Sequence, residues 1–368
     1  MTQAPATSKP RLSDELSDDT LLSWLRDMQL IREFETRCAQ AYQQAKIGGF
    51  CHLYIGQEAL AVGTIQCVNH DDPVVTAYRD HGHALARGMD PGACMAEMYG
   101  KLQGCAKGKG GSMHMFDRPN HLYGGHGIVG AQTPLGAGLA FASRYEWEVL
   151  GKALDGSEPK KKVSLCYLGD GAIDQGAFHE ALNLSSIFNL PVIYIIENNG
   201  YSMGTAIHRH TANHDNLIAR GESYKIKSIE IDGLDIRNIY DHFKPLADEC
   251  RDLQRPAFVD LKTYRYQGHS MSDPQKYRTK DEVDQYKEKD SIANLLAHLM
   301  NERHAIDEAG WKAMQKELKG IVRESLEFAE NADVPDPETE LYSDVYVNIQ
   351  PNLSPTRDYI HGSKNPLL

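Results

Sequence analysis

Apolar residues first recur at helical spacing after Ser17-Asp18-Asp19-Thr20, where Leu21, Leu22, Leu25, Met28 and Ile31 share one face. The polar cluster is a capping signal, so a helix is expected from Ser17 to about Ala45, stopped by Gly48-Gly49. A second helix is expected from near Gln57, a short buried strand over Pro73–Tyr78, and a helix from Pro91 to Leu102. Residues 104–130 hold eight glycines, too many for a helix or a central strand, so a functional loop is expected there. Pro134 then opens an apolar helix (Leu135, Leu139, Phe141, Ala142) that ends near Gly151.

Beyond a polar turn at 155–162 the pattern alternates. Strands are expected at Val163–Leu168, Pro191–Ile196, Ile226–Ile231 and Ala257–Leu261, with helices at Asp174–Phe188 and Asp235–Leu253. This repetition predicts an α/β fold: a mostly parallel sheet with helices on both faces, preceded by a helical segment and followed by a helical arm. In such sheets the loops leaving the carboxyl ends of the strands bind ligands, so those after Leu168, Ile196 and Leu261 should share one rim. The expected organisation is a mobile tail over 1–16, an α/β body over 17–330, and a C-terminal arm over 331–368 that is extended from about Pro335.

Composition narrows the function classes. Of 368 residues, 41% are hydrophobic and 24% charged, enough apolar material for a sizeable core. Lys and Arg number 39 against 51 Asp and Glu, a net charge of −12, which disfavours a bulk grip on nucleic acid or anionic lipid. Any bound phosphate therefore needs local help. Seven scattered cysteines with no C-x-x-C pair argue against a disulfide framework or zinc site and suit a reducing compartment. No apolar run approaches the roughly 18 residues a membrane helix needs. The acidic start without an apolar core does not resemble a targeting segment, so a cytoplasmic location is expected, with a mitochondrial matrix location second.

The strongest chemical signal is Gly169-Asp170-Gly171 after one strand and Asn198-Asn199 after the next, separated by 26 residues. That spacing fits one helix and one strand, so both loops leave the same sheet edge. Asp170 offers a carboxylate and Asn199 an amide oxygen, hard ligands suited to magnesium, which completes its shell with water and phosphate. The glycines allow close approach to a diphosphate, and a helix starting near Ala172 would point amides at it. The plainer alternative is a pair of tight turns. Gly136-Ala137-Gly138 imitates a dinucleotide fingerprint but follows Pro134, not a strand, and is set aside.

Several further stretches carry a resemblance. They are Gly49–Tyr54 with Gly56–Ala59, Thr76–Arg79 with His81-Gly82, Ala106–His114, Gly127–Gln132, and Thr263–Tyr266 with Gly268–Pro274. Together with the Asp170–Asn199 signature, the chain resembles the alpha subunit of the thiamine diphosphate-dependent 2-oxo acid dehydrogenase first component, its pyruvate-oxidising members most closely. The resemblance implies a thiamine diphosphate-binding fold with magnesium held by Asp170, Asn199 and the Tyr201 main-chain carbonyl. It implies diphosphate contacts from the Gly171 and Ala172 backbones and from Tyr78 and Arg79, and aminopyrimidine contacts from the Gly127 and Val129 backbones. His269 would sit on a mobile loop at the cofactor and His52 near the substrate, both as catalytic residues. Read without the resemblance, Tyr78 is a core aromatic, Arg79 a surface charge, His52 a satisfied buried histidine, His269 an exposed one, and Ala106–His114 a basic surface loop.

The resemblance also implies partners: a beta subunit supplying the glutamate at the aminopyrimidine in an α2β2 assembly, and the lipoyl domain of a dihydrolipoyl acetyltransferase as acetyl acceptor. Acetoin or a branched-chain 2-oxo acid are alternative donors, and a non-catalytic partner-binding subunit is an alternative of another class. Asp174 stands where the family often has Asn; a helix cap is the favoured role. Ser270 is present, and a phosphate there would place negative charge at the cofactor mouth.

Overall fold

The computed structural model describes residues 11–341, 343 and 344. In chain order the elements are α1 (Asp18–Gln43), α2 (Glu58–Ile65), β1 (Val74–Ala77), α3 (His81–Ala86), α4 (Pro91–Met98), β2 (Leu122–His126), α5 (Gln132–Tyr145), β3 (Ser164–Gly169), α6 (Gly176–Ile187), β4 (Val192–Asn198), β5 (Tyr201–Ser202), β6 (Thr205–Ala206), α7 (Ile218–Glu222), β7 (Lys227–Asp232), α8 (Ile236–Leu253), β8 (Ala257–Lys262), α9 (Lys280–Lys287), α10 (Ser291–Asn301), α11 (Glu308–Asn331) and α12 (Pro337–Glu340). The first helix starts as its cap dictates: the Ser17 hydroxyl accepts from the Thr20 N–H.

Six strands form one parallel sheet in the order β2-β1-β3-β4-β8-β7. Alternate residues of the central strands feed two cores. Val74, Leu165, Tyr167, Ile193, Ile195, Val259 and Leu261 face one side, packed with residues of α1, α2 and α8. Val75, Cys166, Leu168, Tyr194, Ile196 and Phe258 face the other, with Ala137 and Ala140 of α5 and Phe178, Ala181 and Leu182 of α6. Burial on both faces is what makes these strands read as continuous apolar runs. Gly136 belongs to this packing: a Cβ there would lie 2.6 Å from Cys166 Cβ, so this glycine of α5 serves close helix–sheet contact.

Both edges differ from the interior. Edge strand β7 exposes Lys227, Glu230 and Asp232. The other edge, β2, lies inside the stretch expected to be loop. Its glycines make room for packed side chains: a Cβ on Gly124 would meet Phe116 at 2.1 Å, and one on Gly125 would meet Asp80 Oδ2 at 1.9 Å.

The preceding part of that stretch is ordered by one carboxylate. Glu97 of α4 is fully buried. Its Oε2 accepts from the N–H groups of Ala106 (2.8 Å) and Gly108 (2.9 Å), and its Oε1 from those of Gly110 (2.7 Å) and Gly111 (3.0 Å). Lys107 and Lys109, flanking the glycines, pair with Glu340 and Asp344.

The chain ends depart from expectation where they are described. Residues 12–15 of the expected tail form a short 3-10 turn; Arg11 pairs with Asp241 at 2.6 Å and Ser13 is buried. Within the expected extended arm, residues 337–340 form a single helical turn. Residues 1–10, 342 and 345–368 of those two segments lie outside the described residues. Among the described residues no helix is long and apolar enough to cross a membrane.

Candidate functional site

The parallel register sets the site. Gly169 pairs with Glu197 across β3 and β4, and Asn198 with Lys262 across β4 and β8, so the three strands end level and their loops share one rim. A cavity opens there, lined by Gln57, Tyr78, Arg79, Val129, Gly130, Gln132, Asp170, Gly171, Ala172, Glu197, Asn199, Tyr201, Ser202, Arg265 and His269 among others. An outer cavity of about 520 Å³ adjoins it, sharing Tyr78, Val129, Met203 and His269 and adding Phe50, His52, Gly127 and Ser270. All eleven residues singled out from the sequence therefore line one of two contiguous cavities, His52 and Gly127 only the outer one.

The inner cavity is unusually rich in unsatisfied polar groups. Asp170 is 2% exposed; its Oδ1 accepts from the Gly171 N–H at 2.9 Å, while Oδ2 is buried without a partner. Gln57 Nε2, Gln132 Oε1, Arg265 Nε and His269 Nδ1 are likewise buried and unpartnered. Buried polar groups are normally paired, and a place for an ion or ligand is one explanation when they are not. Burial pushes the Asp170 carboxyl up to about 6, against the opposing pull of His210 and Arg265. A bound cation would reverse that cost.

Asn199 lines the same cavity as Asp170 with its amide fixed: Nδ2 donates to Gln57 Oε1 at 3.1 Å, and Oδ1 accepts from the Tyr201 N–H at 3.2 Å. Tyr201 is anchored at its far end, where its hydroxyl donates to Glu282 at 2.9 Å. Gly171 is required by close approach, since a Cβ would lie 2.2 Å from Ser202 Oγ. The oxygen set of Asp170, Asn199 and Tyr201 has the hard chemistry magnesium takes. Two buried arginines face the same space. Arg265 is 2% exposed and Arg79 6%, and neither has a carboxylate partner within salt-bridge distance among the described residues. Burial and the neighbouring Arg265 push the Arg79 guanidinium below its usual range. Uncompensated buried cations suit a multiply charged anion such as a diphosphate.

The histidines meet at the boundary of the two cavities. His52 Nδ1–H donates to the His269 carbonyl at 2.8 Å, and the two rings lie 4.9 Å apart, with Tyr78 4.6 Å from His52. Burial and Arg79 hold His52 down to about 4; burial, Arg79 and His52 hold His269 down to about 3. Both rings are therefore neutral near pH 7.

Some local expectations are corrected. Residues 170–174 form a 3-10 turn, and α6 starts only at Gly176, so the amides near Ala172 belong to that turn. Asp174 caps no helix; it accepts from Thr211 Oγ1 (2.8 Å) and Arg220 Nη2 (2.7 Å) and pairs with His210 (2.9 Å). Arg79 is no surface charge: its guanidinium donates to the carbonyls of Leu53 (2.6 Å) and His269 (2.8 Å). The His269 loop, expected to be mobile, makes several hydrogen bonds to its surroundings. Met271 N–H donates to the Cys51 carbonyl at 2.9 Å, and Arg278 donates to the carbonyls of Arg265, Tyr266 and Gln267.

Sequence reasoning gave no role to Arg265, Gln57, Glu197 or Ser202. Arg265 had a usable signal, a cation three residues beyond the end of β8 on the shared rim. Glu197, which accepts from Tyr54 Oη at 2.5 Å, reads in sequence as one more strand residue.

Comparison with known proteins agrees with this architecture. The profile of the dehydrogenase E1 component family matches residues 26–338. The chain is 47% identical over 322 residues to the pyruvate dehydrogenase E1 component subunit alpha of Rickettsia bellii, covering 88% of this chain and 94% of that protein. It is 46% identical over 332 residues to the subunit of that name from Rhizobium meliloti (90% and 91% covered), and 44% over 331 residues to that from Zymomonas mobilis (89% of each). With the parallel sheet and its polar rim cavity in place, a match over this length means that the chain belongs to the dehydrogenase E1 component family, with its thiamine diphosphate-binding α/β fold.

Proposed function

We propose that this chain is the alpha subunit of a pyruvate dehydrogenase first component. It would bind thiamine diphosphate and Mg2+, act with a beta subunit to decarboxylate pyruvate oxidatively, and pass the acetyl group to the lipoyl group of a dihydrolipoyl acetyltransferase. The observation that carries this reading is the unpartnered buried oxygen of Asp170, in one cavity with Asn199 and two buried arginines. The names of its relatives support pyruvate as the donor.

Bound thiamine diphosphate supplies the electron sink that decarboxylation of a 2-oxo acid requires. The chain's own residues do the rest. Asp170 Oδ2, Asn199 Oδ1 and the Tyr201 carbonyl hold the ion. The Gly171 and Ala172 amides, Tyr78 and Arg79 take the diphosphate, and the Gly127 and Val129 backbones meet the aminopyrimidine. His52, its Nδ1–H committed to the His269 carbonyl, keeps Nε2 as a lone-pair acceptor, and neutral His269 keeps an unpartnered Nδ1. In this reading a His269 Nδ1–H would give a proton to the substrate carbonyl oxygen, and His52 Nε2 would accept one.

The exposed apolar side chains Met203 (64% exposed) and Phe50 (60%) line the cavities, and Ile128 (77%) lies between the lining residues Gly127 and Val129; the three suit coverage by a beta subunit in an α2β2 assembly. The reading places the enzyme in a bacterial cytoplasm. Calorimetry of thiamine diphosphate binding with Mg2+ in the reconstituted assembly tests it. Asp170→Ala should weaken binding by more than about tenfold, or 1.4 kcal/mol, with the melting profile of the apo protein retained. Unchanged affinity would overturn the site. Steady-state rates on pyruvate, acetoin and branched-chain 2-oxo acids, compared in that assembly, test the donor.

A further inference from the structure

Behind the cavities lies a buried polar chain that the proposed chemistry does not use. Glu35 of α1 and His81 of α3 are both 0% exposed. Glu35 Oε1 accepts from His81 Nδ1 at 2.6 Å, and Glu35 Oε2 accepts from the Tyr54 N–H. His81 Nε2 lies 2.9 Å from both the carbonyl and the hydroxyl oxygen of Ser112. Ser112 Oγ accepts in turn from the His52 N–H at 3.4 Å. Three side chains from three separate parts of the chain thus converge on residues 52–54 and hold the backbone on both sides of His52.

Carboxylate, imidazole and hydroxyl in this order resemble a nucleophile relay. Ser112 is 3% exposed and lines neither cavity, so no substrate reaches its hydroxyl. Nor is stability a sufficient reason for the pair. A buried ion pair is often no better than apolar residues of equal volume, and its best-attested use is to fix a register. Here the pairing is complete: no polar side-chain atom of Glu35, His81 or Ser112 is without a partner. Burial pulls the His81 imidazolium down, but the Glu35 hydrogen bond and charge outweigh it and hold His81 above the usual histidine range. A charged ring donates from both nitrogens, as its acceptors on Glu35 and Ser112 require.

What is held has a defined target. The 51–54 segment receives the Met271 N–H at the Cys51 carbonyl (2.9 Å) and Arg79 Nη1 at the Leu53 carbonyl (2.6 Å). The His52 ring is in turn oriented by the His269 carbonyl. We propose that Glu35, His81 and Ser112 form a positioning relay that fixes His52 at the boundary of the two cavities. Glu35 is then a positioning residue for turnover, acting through a histidine it does not touch. The inference rests on the reading of His52 given above.

The test is a double-mutant cycle in the enzyme reconstituted with its beta subunit, with thiamine diphosphate binding and melting measured beside kinetics. Glu35→Gln keeps the side-chain shape but removes the charge. It should lower kcat by about tenfold or more, with KM for pyruvate and cofactor Kd within about threefold of wild type. On a His52→Ala background the same change should lower kcat by less than about twofold, because the relay then has nothing to place. Full activity of Glu35→Gln, or a multiplicative loss in the double variant, overturns the relay. If Glu35→Gln does not assemble, Ser112→Ala carries the same cycle, with a loss of about threefold or more on wild type and none on His52→Ala expected. If His52→Ala alone leaves kcat unchanged, the assigned role of His52 fails, a result distinct from failure of the relay.

Discussion

The Arg265 guanidinium donates from Nη1 to the Tyr201 carbonyl at 3.3 Å, the main-chain oxygen assigned to the ion. The same nitrogen reaches Asn199 Oδ1 at 3.4 Å, while Nη2 donates to the Met203 carbonyl (2.7 Å) and lies 2.9 Å from Tyr277 Oη. One side chain from the end of β8 thereby holds the loop from β4 in shape. Arg265→Met should weaken thiamine diphosphate and Mg2+ binding by about tenfold or more, and Arg265→Lys should rescue little, because an ammonium cannot span the fork. Calorimetry on the reconstituted assembly reads both; wild-type affinity in Arg265→Lys would count against the fork.

Gly171 owes its identity to a neighbour. A Cβ there would lie 2.2 Å from Ser202 Oγ and 2.7 Å from Ser202 Cβ. Gly171→Ala should displace β5 and cost cofactor affinity by about tenfold. Adding Ser202→Gly should recover most of that loss in the same titration. Failure of the second change to help would locate the defect at the diphosphate itself.

Asp80 carries a pH dependence of stability. Burial pushes its carboxyl up to about 7, against the pull of His81; Oδ2 accepts from the Met115 N–H at 2.9 Å and Oδ1 has no partner. A raised carboxyl pKa means the folded state holds a proton that the unfolded chain has lost. Stability from this group therefore falls as pH rises from about 4 to 7 and stays low above that. Asp80→Asn should equal wild type near pH 4 and exceed it at pH 8, by at most about 4 kcal/mol. Melting midpoints at the two pH values decide the matter.

Glu97 is the pin of the glycine-rich turn, with four backbone N–H groups on its two oxygens. Removing it strands four part-buried donors. Glu97→Ala should destabilise by about 3–5 kcal/mol and open the turn. Limited trypsin digestion should then cut first at Lys107 or Lys109, which in wild type pair with Glu340 and Asp344. An unchanged cleavage pattern would show that the turn stands without its carboxylate.

Much of this architecture was legible because its signals are local. Apolar runs bounded by turn residues marked β3, β4 and β8, and the positions just past their ends led to Asp170 and Asn199. What was missed depended on distant partners. The glycines of β2 read as loop because Asp80, which demands Gly125, lies 45 positions away, and glycine density does not show that Phe116 packs on Gly124. Asp174 read as a cap because His210, Thr211 and Arg220 are 36 to 46 positions away. Arg265 needed the rim to be assembled before its direction meant anything.

The borders of the six-stranded sheet also limit how copies of this molecule can meet. At one border β7 sets Lys227, Glu230 and Asp232 toward water, and at the other β2 is a five-residue strand with two adjacent glycines. A neighbouring chain finds no long, flat, uncharged ribbon to extend. Quaternary contacts are thereby steered onto helical faces and loop surfaces, and the row of strand ends that frames the cavity is kept clear of end-to-end stacking.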